Sequence, residues 1–165
     1  MYDLKKIHPD AIPQALEKAN FYRLLNEPGA AESICLDVLE IDPENQQALI
    51  TLLTALTDRF NKGYAVGATK ARDVLPRLKD NYQRSYYAGL ISERQAKARL
   101  SQGGPGSSHD AYEHLREAMA FFEQAEACRP EGNDDSILRW NACARMIMQN
   151  HLSPRASEGG EPYLE

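Results

Sequence analysis

The residues of this 165-residue chain that could do chemistry are four histidines, three cysteines, a glycine-rich turn, scattered carboxylates and a file of tyrosines. His8, His109, His114 and His151 are far apart, and the 109/114 pair misses the i,i+4 spacing that sets two metal ligands on one helix face. They read as exposed or capping side chains. Cys35, Cys128 and Cys143 are odd in number and widely spaced, and each lies inside an apolar pattern. A zinc site needs Cys or His clustered at short spacings, so buried, reduced thiols are expected and no metal or cofactor. The turn GGPG at 103–106 lacks both the Gly-Lys-Ser/Thr that follows a phosphate loop and the strand that precedes one. Glu93, Glu113, Glu117, Glu123 and Glu126 alternate with Lys and Arg at helical spacings, as a solvated helix face does. No nucleophile is paired with a base, and the residues do not describe an enzyme. Tyr82, Tyr86 and Tyr87 are the most suggestive group, serving either as core or as a binding surface.

The elements that must position these residues are helical throughout. Apolar residues recur at three- and four-residue intervals in seven runs, and no segment alternates with period two over a strand's length. In order, the runs are carried by Leu16, Ala19 and Tyr22; by Ala31, Cys35 and Val38; and by Leu49, Leu52, Leu53 and Leu56. Ala68, Ala71 and Leu75 carry the fourth, Tyr82 to Leu100 the long fifth, Leu115, Ala118 and Phe122 the sixth, and Ile137, Trp140, Ala144 and Ile147 the seventh. Asp10 and Asn133 are expected to cap the first and seventh helices, Gly63 to close the third, and Asn26 to take the left-handed conformation after the first. Ser107 with Asp110 resembles a capping box at the start of the sixth.

Three prolines punctuate this pattern. Pro43 is preceded at five and twelve residues by Val38 and Ala31; Pro130 at five, eight and twelve by Ala125, Phe122 and Ala118; Pro76 at five and eight by Ala71 and Ala68, with Tyr64 at twelve and Ala65 beside it. Small residues on one face let antiparallel helices approach, and proline ends the hydrogen-bond ladder. With these features the chain resembles a tetratricopeptide repeat protein, whose unit of about 34 residues is a helix-turn-helix closed by proline. Residues 12–45 match best, through Ala19, Tyr22, Ala31 and Asp42-Pro43-Glu44-Asn45. Pro43 and Pro76 lie 33 positions apart and Pro76 and Pro130 lie 54 apart, so the third unit holds an insertion of about 20 residues. It is expected in a lengthened fifth helix and the glycine-rich turn. Other helical-hairpin repeats share this pattern.

The resemblance implies an all-α fold: a right-handed array of antiparallel helical hairpins, a tetratricopeptide-like α-solenoid of about three repeats plus a C-terminal capping helix. One domain over 1–152 would hold units 11–45, 46–78 and 79–132, with the insertion near 90–110 and a cap at 133–151. Residues 153–165 would be a flexible tail, idle or, through Tyr163 and Leu164, a mimic of a ligand. First helices of each pair would line a concave face offering Asn20, Arg23, Gln47, Thr54, Asp58, Tyr86, Leu90, Arg94, Asn141 and Arg145 to a partner. Members that clamp a C-terminal carboxylate use Lys, Asn and Arg there. Here the aligned positions include Asn20 but also Leu16, Thr51, Gln83 and Tyr87, so that ligand class is not carried over.

Composition narrows the partners. Hydrophobic residues at 42% and charged ones at 26% suit an ordinary globular core. The net charge of -5 opposes general nucleic-acid binding, and no run approaches the about 20 apolar residues of a membrane span. With no apolar core of a signal peptide at the N-terminus, a cytoplasmic location is expected. The sequence thus points to a non-catalytic scaffold for an unidentified protein or peptide. An enzyme or small-ligand pocket near Tyr86, Arg94 and Arg145, or a homo-oligomer through helices five and six, stands as the alternative.

Overall fold

The computed structural model describes residues 1–62 and 64–156. The cap expected at Gly63, the side chains of Tyr64 and Ala65, and residues 157–165 with Tyr163 and Leu164 lie outside the described residues. Among those described there are seven α-helices and no strand: α1 (Ile12–Leu24), α2 (Pro28–Ile41), α3 (Gln46–Thr57), α4 (Tyr64–Val74), α5 (Asn81–Gln102), α6 (Ser107–Ala127) and α7 (Asp135–Gln149). Short 3-10 turns precede α1, follow α3 and follow α4. Each helix packs on the next, and α3 also touches α1 and α5. No described helix is long and apolar enough to cross a membrane.

The proline joints explain where helices stop and restart. Pro43 and Pro130 lie in turns and Pro76 in the 3-10 turn after α4, while Ala31, Val38, Ala68, Ala71, Ala118, Phe122 and Ala125 behind them are all buried. After each joint an Asx side chain takes up an orphan backbone N–H. Asn45 Oδ1 accepts from the Ala48 N–H at 2.9 Å, Asp80 from Tyr82 at 3.0 Å, and Asn133 from Asp135 at 3.0 Å. The first two joints also bond to one another. Arg77 donates to the Pro43 carbonyl at 2.9 Å, and Gln46 accepts from the Lys79 N–H at 2.9 Å.

Two apolar clusters form the interior. One gathers α1–α4 around Leu49, Leu53, Val38 and Phe60; the other gathers α6 and α7 around Leu115, Phe122 and Cys143. Helix α5 stands between them, giving Ile91 and Ala98 to the first and Ala96 to the second. The additional length of the third hairpin is shared by both helices, α5 with 22 residues and α6 with 21, against 11 to 14 in α1–α4. The turn joining them needs left-handed backbone, with Gly103 at φ 67° and Gly106 at φ 75°. Gly106 is the N-cap of α6, and no side chain caps it. The expected capping box therefore does not form, because the Asp110 carboxylate is drawn to Arg99 at 2.8 Å and Arg155 at 2.7 Å. Helix α1 likewise starts later than an Asp10 cap would have it: His8 caps the preceding 3-10 turn, and Ala11 is the N-cap of the helix. Asn26 is left-handed, as expected, at φ 59°.

Gly89 measures how closely α5 and α6 approach. A methyl group there would lie 2.6 Å from the Phe122 ring, whereas one at Gly29 in α2 would meet nothing within 4 Å. Gly89→Ala should lower the unfolding free energy by about 1–3 kcal/mol through overpacking. Gly29→Ala should raise it by about 0.5 kcal/mol by reducing the freedom of the unfolded chain. Urea unfolding followed by circular dichroism reads both signs.

Candidate functional site

A row of charged side chains crosses the helices that alternate along the chain. Arg23, in the last turn of α1, donates to Asp58 through Nε at 2.8 Å and Nη2 at 3.3 Å. Asp58 caps the C-terminus of α3 and accepts a further bond from Arg94 of α5 at 3.1 Å. The preceding residue of α5, Glu93, accepts from Lys97 at 2.9 Å and from Arg139 of α7 at 3.2 Å. Each carboxylate is thus shared by two cations. Glu93 is only 1% exposed, but its cations reach solvent: the side chains of Arg23, Arg94, Arg139 and Lys97 are 25%, 29%, 33% and 44% exposed.

Tyrosines join the two halves of the row. Tyr86 accepts a bond from Arg139 Nε at 3.4 Å, packs on Phe122, and meets Tyr87 edge-on with centroids 5.1 Å apart. Tyr87 packs against the first cluster. Burial, with Tyr86 beside it, holds the Tyr87 phenol above its ordinary range; Arg23 and Arg139 both reach it and pull the other way. The phenol is therefore neutral at physiological pH. Tyr82 is buried, stacks on Tyr86 at 5.7 Å and bonds Asn133 at 3.3 Å, which makes it core. Arg94 Nε is covered and has no acceptor among the described residues.

Of the ten residues expected on a binding face, the structure brings Arg23, Asp58 and Arg94 into one bonded group, and sets Tyr86 against Arg139 of the other group. Leu90 and Thr54 are buried, Thr54 donating to the Ile50 carbonyl at 2.9 Å, so neither is presented on a surface. Asn20 and Gln47 are exposed but stand outside the row. On α7, Arg139 rather than Asn141 or Arg145 meets α5. Asn141 and Arg145 sit about 160° and 120° around the helix from it. Of the apolar stripe expected on α7, Trp140, Ala144 and Ile147 pack on the second cluster, while its fully buried positions are Ser136 and Cys143. Glu93, expected on a solvated face, was hidden by its own sequence. A Glu four residues before a Lys looks like a surface pair wherever it occurs.

The cysteines divide. Cys35 and Cys143 are buried, and burial pushes both thiols up to about 12. Cys128 is exposed at the end of α6, contrary to the expectation of three buried thiols, because that helix ends there and leaves its Cβ outside the core. No cluster of His, Cys, Asp and Glu among the described residues could hold a metal ion. Comparison of the chain with protein-family models, with curated proteins and with solved structures gave no match.

Three outcomes test this arrangement. Glu93→Gln should lower the unfolding free energy by about 1–3 kcal/mol, since it removes a charged acceptor from a buried position. Glu113→Gln, on the exposed side of α6, should change it by under about 0.5 kcal/mol. Iodoacetamide at mildly alkaline pH should label Cys128 alone in the native protein and all three thiols in denaturant, read by intact mass. Cys35 and Cys143 stay protonated in the fold but ionise near 9 once exposed, so stability should fall as pH rises from about 9 towards 12.

Proposed function

We propose that this chain is a non-catalytic interaction scaffold, an array of helical hairpins of the tetratricopeptide type, that holds a peptide or protein segment on the face shared by α1, α3, α5 and α7. The observation that carries this reading is the bonded row Arg23–Asp58–Arg94 and Glu93–Arg139, which joins those alternate helices and leaves their guanidinium groups part-exposed. Several features of the backbone support the array. The alternate helices α1, α3 and α5 touch, small buried residues precede each proline, and after each joint an Asx side chain accepts a backbone N–H, at the N-cap of α3 and α5 and one residue before that of α7. The joints at Pro43 and Pro76 are hydrogen-bonded together, as stacked units of equal length would be.

Chemistry on the face favours holding over turnover. Both oxygens of Glu93 and both of Asp58 are occupied by cations, which leaves neither carboxylate placed to take a proton from a substrate. Tyr and Arg, by contrast, supply much of the energy at protein interfaces, because they combine apolar area with directed donors. Fixing them through ion pairs before a partner arrives reduces the entropy lost on binding.

The test is selection of a displayed random peptide library against the whole chain, followed by calorimetry on the recovered sequences. Saturable binding is expected, weakened about tenfold or more by Tyr86→Ala and unchanged by Lys70→Glu on the exposed side of α4. Turnover of a small molecule with no saturable peptide would overturn the reading.

A further inference from the structure

Charge on the row is unbalanced. Four cations, Arg23, Arg94, Lys97 and Arg139, share two carboxylates, Asp58 and Glu93. Asp135, whose charge also reaches the Tyr82 and Tyr87 phenols, lies at the start of α7, and cations still outnumber carboxylates when it is included. The whole chain nevertheless carries -5. A cationic strip is therefore set in a surface that is otherwise more acidic than the net charge implies.

Resting on the scaffold reading, we infer that the segment held on this face is acidic, a peptide whose Asp or Glu side chains meet Arg94 and Arg139. Geometry and electrostatics agree on it. A guanidinium pairs with a carboxylate through two parallel N–H donors, and all three arginines of the row keep solvent-facing surface after their internal bonds are made. The Tyr86 ring, bonded to Arg139 and part-exposed, offers apolar area for the side-chain stems of an extended segment. Arg94 also has a donor without an acceptor among the described residues, which a ligand carboxylate can satisfy by re-aiming the side chain. An acidic segment is repelled by the remainder of the surface and drawn to this strip, so charge selects the place as well as the ligand. A nucleic acid shares the attraction but carries charge over a far longer track, most of which would face the acidic surface.

Fluorescence anisotropy on the full chain tests it with four dye-labelled probes. They are a short capped peptide rich in Asp and Glu with one Phe and one Leu, its Asn/Gln counterpart, its Lys counterpart, and an oligothymidylate of similar length. The acidic peptide should bind at least about tenfold more tightly than the amide version, with affinity falling as salt rises. Arg139→Gln should cost about tenfold for the acidic peptide only. Lys97→Gln, at a more exposed side chain, should cost about threefold and keeps the test decisive if Arg139→Gln fails to fold by circular dichroism. Equal affinity for the acidic and amide peptides, tighter binding of the oligothymidylate, or unchanged affinity in the folded variants would overturn the inference. So would failure of every probe here. If the library selection yields saturable but neutral binders, the scaffold reading stands without it.

Discussion

Helix α5 is enclosed on most of its circumference through its middle, and between residues 88 and 98 only Arg94 and Lys97 reach solvent. Residues 88–93 are buried without interruption, and Gln95, Ala96 and Ala98 continue the burial, because α3, α4 and α6 pack on the helix and α7 reaches it through Arg139. A helix so enclosed is ordinarily apolar at its buried positions. This one carries Ser92, Glu93 and Gln95 at its most enclosed positions, and a buried polar group without a partner costs several kcal/mol. Every one of them therefore dictates something on a neighbour. Ser92 donates to Glu117 of α6 at 2.9 Å, Gln95 accepts from Arg72 of α4 at 2.8 Å, and Glu93 draws Arg139 from α7. Polar constraints radiating from one helix fix the positions of three others.

Those bonds specify more than they stabilise. Ion pairs between part-exposed side chains contribute about 0–1 kcal/mol each, since water competes for both partners. The apolar clusters on either side of α5 supply the bulk of the driving force, with each fully buried Leu or Phe contributing about 1.5–3 kcal/mol. Apolar packing alone, however, tolerates a helix sliding or rotating against its neighbour. A buried carboxylate does not tolerate it, because misalignment strands the charge. Glu93 in this way sets the register of α7 on α5, and Asp58 sets the end of α3 between α1 and α5. The cationic surplus follows directly. Holding one enclosed carboxylate from two helices requires more cations than carboxylates, and the cations lie at the rim where water reaches them.

How legible this was in the sequence depends on whether the cause is local. The seven helices and the joints were legible, because periodicity, proline and Asx capping act within one or two turns of chain. Arg23, Asp58 and Arg94, named by counting positions on alternate helices, fall into one ion-paired group. Arg139 lies outside that count, because its partner Glu93 is 46 residues away and follows the pattern of a solvated side chain. Cys128 and the Ser107–Asp110 pair failed for a related reason. Each follows a correct local pattern that a tertiary fact overrides, the end of α6 in one case and the pull of Arg99 and Arg155 in the other. Local rules describe what a residue prefers in isolation; burial on α5 and competition for Asp110 are properties of several helices together.

Length explains the remaining irregularity. A helix of 22 residues is about 33 Å long and one of 12 about 18 Å, so the α5–α6 hairpin extends well past the hairpins beside it. The turn joining the two helices is held by bonds of its own. Arg99 binds the turn itself through the Gly103 and Pro105 carbonyls at 2.9 and 3.1 Å, as well as Asp110. The chain leaving α7 then returns along α6. Leu152 is buried, the Ser153 carbonyl lies 2.9 Å from His109 Nδ1, and Arg155 joins Asp110. That segment covers what a further pair of helices would otherwise cover. The inserted length and the return of the chain after α7 are thus two parts of one solution, since a hairpin that outgrows its neighbours needs a partner from elsewhere in the chain.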